Sequence, residues 1–362
     1  MARQPGHSIV ARFSIEAVRC IDAAGRAVGP LPGFAADKRE LAALYRGMVL
    51  TRTFDQKAVA LQRTGQLGTY ASSLGQEAVA VGLASAMRPE DVLLPSFREH
   101  GAQLWRGVAA EELFRYWGGD ERGSDFAAAR ADWPVSIPVA SHVPHAVGVA
   151  WALQLGGAPR VAVCVLGDAA TSKGDFYEAL NLAGAWALPV VFLVCNNRWG
   201  ISVPVERQTA AGTLAQKALA AGIEGIQVDG NDVVAVREVV AGALDKARRG
   251  GGATLVEALT YRLGDHTTAD DASRYRDSAE VSARWHEEPV ARLRAFLTAQ
   301  GLWSKDEEEA LLGECHAAIE AAAEAYRATP PAPPTAIFDS LFATLPAALE
   351  AQRREVARRG GD

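Results

Sequence analysis

Two apolar runs about thirty residues apart organise the middle of the chain. VAVCVL at 161–166 and VVFLVC at 190–195 are continuous rather than alternating, the pattern of strands covered on both faces. Between them, Phe176, Leu180, Ala183 and Ala187 recur at helical spacing, so the stretch predicts a helix over 174–187. The alternation continues with a helix near 211–221, IQVDG at 226–230, a helix over 232–249 and the strand TLVEALTY at 254–261. Upstream, DKRELAALYRGMVLTRTFDQKAVALQRTG puts Leu41, Leu44, Tyr45 and Met48 on one face, with Asp37 as N-cap and Gly65 as stop. GQEAVAVGLASAM (75–87) and VPHAVGVAWALQLGG (143–157) predict two more helices. The latter has Ser141 near its N-cap, Pro144 in its first turn, and small residues (Ala146, Gly148, Ala150) suited to close packing.

Repeated strand–helix units imply an α/β fold, a mostly parallel sheet flanked by helices on both faces. Residues 1–36 read as an N-terminal arm and 37–328 as the α/β domain, whose final part, 281–328, is helical and acidic. PPAPP at 330–334 breaks that pattern, leaving 329–362 as a C-terminal helical tail.

Composition removes several function classes. With 37 basic against 43 acidic side chains the net charge is −6, which supplies no clustered positive surface for nucleic acid. Arg248-Arg249 and RREVARR near the C-terminus read as solvated helix ends. No stretch of membrane-spanning length is continuously apolar, so no membrane partner is expected. MARQPGHSIVARF has basic charge without an apolar core, which argues against a secretory signal. Cys20, Cys164, Cys195 and Cys315 show no metal-binding spacing and two lie inside strand-like runs; they read as reduced core thiols of a cytoplasmic protein.

The polar chemistry gathers at two strand ends. In an open parallel sheet, ligands bind outside the carboxyl ends of strands. Asp168 follows the first run and Asn196-Asn197 the second, and the first amides of helix 174–187 are expected to face the same crevice, where they suit diphosphate oxygens. A carboxylate with a carboxamide is modest ligation, suited to a Mg²⁺ shared with a phosphate ligand. Two capped turns are the plainer alternative. GDAATSKG after the first strand lacks GxGxxG, and no acid is placed for a ribose, so a nicotinamide site is disfavoured.

GD followed some thirty residues later by NN resembles the thiamin-diphosphate and Mg²⁺ motif. GDFYEALNLAGAWALPVVFLVCNNRWGISVPVERQT is similar to the α subunits of the E1 component of 2-oxo acid dehydrogenase complexes. LGTYASSLGQEA, LPSFREHG, ASHVP, TLAQKALAAGIEGIQVDGND and YRLGDHTTADDASRYR carry the same resemblance, which spans about residues 12–345.

That resemblance implies a set of roles. Asp168, the side chain of Asn197 and the main-chain carbonyl of Trp199 would hold Mg²⁺. Arg98 would bind the diphosphate, with Gly167 and the main chains of Ala169 and Ala170 beside it; surface pairing with Glu99 or Glu112 is the bland alternative for Arg98. Val139 and Ile201 would line the thiamin. Phe97 stands where many relatives carry tyrosine, so a hydroxyl contact worth about 1 kcal/mol would be missing. His266 would be the active-site histidine, steering protons as the acyl group passes to a lipoyl group. His142 is a second catalytic candidate, and His145 reads as helix surface. Arg262, Arg274 and Tyr275 would order the loop over the cofactor.

Two departures bear on the site. Ala169 replaces the usual glycine; a left-handed backbone there would cost about 1 kcal/mol. Lys173 would bring positive charge near the diphosphate. Glu77 is not the activating carboxylate by this resemblance, which takes that group from a β subunit and makes GQEA a packing motif. The cofactor would then lie between subunits of an α2β2 heterotetramer, whose further partners are a small 2-oxo acid and an E2 lipoyl acyltransferase. NNR, SVPVERQT and TLAQKALAAGI most resemble bacterial pyruvate dehydrogenase. Branched-chain 2-oxo acid and acetoin dehydrogenases share the motifs, and a catalytically silent cofactor-binding subunit is the reading from another class.

Overall fold

The computed structural model describes residues 8–339 and 341–360; the first seven residues of the segment weighed for a signal lie outside the described residues. Strands β1 (Glu16–Val18), β2 (Val92–Leu94), β3 (Ala162–Gly167), β4 (Val190–Asn196), β7 (Glu224–Asp229) and β8 (Thr254–Leu259) form one sheet in the order β1-β7-β8-β4-β3-β2. Every pairing in it is parallel. The short strands β5 (Trp199–Gly200) and β6 (Val203–Pro204) make a separate antiparallel hairpin just beyond β4. The expected α/β architecture is the one observed.

Continuous hydrophobic runs become central strands because both faces are covered. Every residue of β4 is buried, and alternate side chains enter different cores. On one face lie helices α1 (Lys38–Arg63), α2 (Glu77–Ala86) and α7 (Val233–Arg248); on the other, α5 (His142–Leu155) and α6 (Gly174–Ala185). In α1 the Asp37 carboxylate accepts from Arg39 N at 2.8 Å, while Leu41, Leu44, Tyr45 and Met48 are all 0% exposed. Burying such side chains stabilises by roughly 1.5–3 kcal/mol each. Helices α3 (His100–Trp105), α4 (Ala110–Trp117), α8 (Ser278–Arg284), α9 (Pro289–Ala299), α10 (Lys305–Ala328) and α11 (Ala347–Arg359) complete the chain, and among the described residues no helix is long and apolar enough to cross a membrane.

Several local expectations are corrected. The arm is not merely an arm: Glu16–Val18 adds the edge strand beside β7, and Asp232 fastens it by accepting from Cys20 N and Ile21 N at 2.7 and 2.6 Å. Three residues are too few to show a period. Ala187 is exposed, because α6 stops at Ala185 and Ala187 turns away at φ 49°; Ala179 and Leu188 are buried there instead. The helix expected near 211–221 is a 3-10 turn over Ala215–Ala221. Gly148 faces open space while Ala146 and Ala150 pack inward. Arg248 is no solvated end: its side chain is 7% exposed and ion-paired with the fully buried Asp91.

Candidate active site

Strands β3 and β4 lie side by side with Gly167 opposite Cys195, so the next residues of each chain segment leave the same sheet edge together. Asp168 and Asn197 emerge there into a cavity of about 520 Å³. Phe97, Arg98, Val139, His142, Gly167, Ala169, Ala170, Trp199, Ile201 and His266 line it with them, which brings together every residue assigned to the site from sequence. Five separate stretches of chain thus meet at the carboxyl ends of two strands, where an open parallel sheet places its ligands.

The floor differs from expectation in one respect. A 3-10 turn, Asp168–Ser172, intervenes between β3 and α6. The groups facing the cavity are therefore those of Gly167–Ala170, whereas Lys173 and Gly174 are exposed at the surface. Ala169 has an ordinary negative φ in this turn, so the strain weighed for it is absent. Left-handed backbone occurs instead at Ala140 (φ 66°), Arg198 (φ 74°) and Ile201 (φ 59°), all on segments that form the rim. For β-branched Ile201 this is a true outlier, costing of order 1–3 kcal/mol. Arg262 holds it in place by donating from Nη2 to Ile201 O at 2.8 Å.

Two buried arginines, Arg98 lining the cavity and Arg262 behind it, are held by carbonyls rather than by carboxylates. Arg98 is 7% exposed; it donates from Nη1 to Ser72 O at 2.5 Å and from Nη2 to His266 O at 2.7 Å. Arg262 is 1% exposed and donates to carbonyls of Trp199 and Ile201 and to Tyr275 Oη. Neither guanidinium forms an ion pair among the described residues, and burial lowers the pKa of both. Burial first, then the Arg262 charge, brings Arg98 down to about 10. The surface pairing with Glu99 or Glu112 does not occur: Glu99 accepts from Ser96 Oγ and from the Arg98 backbone N–H, not from its guanidinium, and Glu112 caps α4 at Ala109 N.

His266 sits 2.9 Å (Nδ1) from Arg98 Nη2 and 3.3 Å from Arg262 Nη1. Its Nδ1 is therefore an acceptor and its proton resides on Nε2. Burial, then Arg98, then Arg262 hold its pKa down to about 4, so the ring is neutral at physiological pH. His142 is 4% exposed with Nε2 2.7 Å from Val165 O; burial lowers its pKa, and Nδ1 has no partner among the described residues. His145 is exposed and bonds Ser141 O, as a surface residue would. Burial lifts Asp168 to about 6, against hydrogen bonds that include Gln208 Nε2 at 3.2 Å.

The loop carrying His266 is ordered by residues sequence reading only partly found. Tyr275 bonds Arg262, as expected, but Arg274 is exposed. Arg276 does the bracing instead, donating to the carbonyls of Arg262 and Gly264 from a buried position. Gln76 also lines the cavity, and Asp55 and Ser72 brace it from outside; all three were missed. Asp55 and Ser72 lie in stretches whose helical and loop character gave no chemical signal.

A larger cavity, about 670 Å³, lies at the ends of β1, β7 and β8. Its charges are satisfied internally, Arg19 and Arg292 on Asp229 and Arg284 on Glu287, so it lacks the unmatched charge that marks the first.

The fold and the site together define an α/β protein with a cavity lined by buried charged and polar side chains at the carboxyl ends of its central parallel strands. Residues 45–335 match the family described as dehydrogenase E1 component, and the chain belongs to that family, among the α subunits of 2-oxo acid dehydrogenases. It is 43% identical over 314 residues to the 3-methyl-2-oxobutanoate dehydrogenase subunit alpha of Mycobacterium tuberculosis, covering 86% of this chain and 85% of that one. It is 40% identical over 315 residues to the pyruvate dehydrogenase E1 component subunit alpha of Bacillus subtilis, with the same coverages. The Staphylococcus aureus protein of the same name matches equally, at 40% over 315 residues.

Proposed function

We propose that this chain binds thiamin diphosphate with Mg²⁺ and, with a β subunit, oxidatively decarboxylates a 2-oxo acid and passes the acyl group to the lipoyl group of an E2 acyltransferase. The observation that carries this is the meeting of Asp168, Asn197, Arg98 and His266 in one cavity. Membership of the E1 family implies thiamin diphosphate dependence.

The residues present fit the group. Oxygen donors from Asp168, Asn197 and the Trp199 carbonyl suit a hard divalent cation. The buried Arg98 guanidinium, which lines the cavity without a carboxylate partner among the described residues, suits a diphosphate. Val139 and Ile201, 49% and 55% exposed, are not core residues and offer apolar surface to a ring. Thiamin diphosphate, when bound, supplies the electron sink for decarboxylation. Around it, Arg98 anchors the diphosphate end. His266, neutral and carrying its proton on Nε2, is placed to hold or move a proton at the acyl end. Phe97 lacks the tyrosine hydroxyl, but its ring meets His266 edge-on at 6.1 Å between centroids and helps to fix the imidazole.

The activating carboxylate comes from the β subunit in this reading, because Glu77 is buried in an ion pair with Arg52 and does not line the cavity. Pyruvate is the proposed substrate, on the likeness of NNR, SVPVERQT and TLAQKALAAGI to bacterial pyruvate dehydrogenases. A second reading, 3-methyl-2-oxobutanoate, is favoured by the 43% identical relative. Titrating the co-expressed αβ assembly with thiamin diphosphate and Mg²⁺ while assaying both acids tests all of this. No cofactor-dependent decarboxylation sinks the function, and kcat/KM higher for the branched acid sinks pyruvate.

A further inference from the structure

GQEA packs only in part. Glu77 is fully buried, paired with Arg52 and accepting from Gly75 N. Gln76 instead lines the cavity, 4% exposed, and touches one of the groups proposed to hold the cation.

Its orientation follows from donors that cannot be exchanged. The backbone N–H of Trp199 donates to Asn197 Oδ1 at 3.2 Å, which settles which end of that carboxamide is oxygen. The other end, Nδ2, then donates to Gln76 Oε1 at 3.3 Å. The same Gln76 oxygen accepts from Cys195 Sγ at 3.0 Å. Gln76 Nε2 is left buried and without a partner among the described residues. A buried amide nitrogen left unpaired is unfavourable, so packing alone does not account for glutamine here.

We infer that Gln76 is a positioning residue for the cation site: it locks the Asn197 carboxamide with its oxygen, not its nitrogen, turned toward the metal. This rests on the cofactor reading above. A carboxamide free to turn about its last bond presents either end, and only the oxygen ligates a cation. The Asn197 oxygen has two lone pairs, so accepting from Trp199 N leaves one for metal. Partners that orient a ligand in this way typically contribute ten- to a hundredfold, as an order of magnitude, in metal affinity.

The test is Mn²⁺ binding to the αβ assembly, read by the loss of free-ion electron paramagnetic resonance signal with saturating thiamin diphosphate. Gln76→Met keeps length without the carbonyl and should weaken Mn²⁺ at least tenfold, with the cofactor-free thermal midpoint little changed. Gln76→Glu keeps an acceptor for Asn197 Nδ2 and should stay within about threefold of wild type. Wild-type affinity in Gln76→Met, or equal losses in both variants, overturns the inference. Should Gln76→Met fail to assemble, Gln76→Glu decides: a tenfold loss overturns it and near wild-type binding upholds it. If wild type shows no Mn²⁺ binding that depends on thiamin diphosphate, the cofactor reading itself fails and this inference falls with it.

Discussion

The Ala169 methyl group fills the space into which a side chain at Gly200 would project. A Cβ on Gly200 would lie 2.8 Å from Ala169 Cβ and 2.8 Å from Gln208 Nε2, well inside contact distance. The turn after β3 and the hairpin after β4 are thus fitted to each other at one carbon atom.

Gly200→Ala is therefore expected to lower stability by about 1–3 kcal/mol, the usual cost of overpacking. Ala169→Gly alone should cost about 0.5–1 kcal/mol through backbone entropy, since Ala169 is under no strain. The double variant should recover most of the Gly200→Ala loss, because the Gln208 amide can swing aside while backbone cannot. Urea unfolding of all four proteins gives the coupling energy; strict additivity would refute the shared-space argument.

His266 should remain neutral well below pH 6. Its folded pKa of about 4 lies beneath the ordinary value near 6.5. The unfolded chain thus takes up the proton first, and the native state loses stability as pH falls from about 6.5 toward 4. His266→Gln should remove that part of the acid lability. Arg98→Met should raise the His266 pKa, though not to its exposed value, because burial is the larger cause. Side-chain ¹H–¹³C NMR across pH 4–8 follows both directly, and an unshifted titration in Arg98→Met would contradict the assignment.

Asp55 should control the site from outside the cavity. Its carboxylate accepts from Tyr70 Oη at 2.8 Å, Ser72 Oγ at 2.7 Å and Ser73 N at 2.7 Å, pinning the segment whose Ser72 carbonyl holds Arg98. The same segment exchanges hydrogen bonds with Thr268 in the His266 loop, at Tyr70 N and Tyr70 O. Asp55→Leu strands buried donors and is expected to destabilise by several kcal/mol, about 1–3 for each unsatisfied group. Trypsin should then cut the loop at Arg274 faster. Asp55→Asn keeps an oxygen that accepts from Tyr70 and Ser73, and its amide nitrogen can donate to Ser72 Oγ once that hydroxyl rotates, so it should behave close to wild type in both assays.

The division between what was legible and what was not follows from the range of each interaction. Strands β3 and β4 were readable because burial on both faces demands unbroken apolar runs. Asp168 and Asn197 were readable because they end those runs. His266 and Arg98 needed the motif resemblance, since neither sits in a periodic segment. Asp55 and Gln76 escaped altogether, each lying beside or within a hydrophobic helix pattern that explains the neighbouring residues without them. The edge strand Glu16–Val18 was hidden for a different reason: what fixes it is Asp232, more than two hundred residues away.

The four cysteines should be inert in the native protein. All are buried and unpaired by disulfides. Burial lifts Cys20 to about 12 and drives Cys164 and Cys195 well above the ordinary thiol range, in Cys195 with further push from Glu99 and Asp168. Thiolate, the reactive form, is therefore scarce at pH 8 even where reagent penetrates. Ellman's reagent should find essentially no thiol in the folded chain and all four in urea. Rapid labelling of Cys195 without denaturant would mean that the floor of the cavity opens, and that its hydrogen bond to Gln76 is broken much of the time.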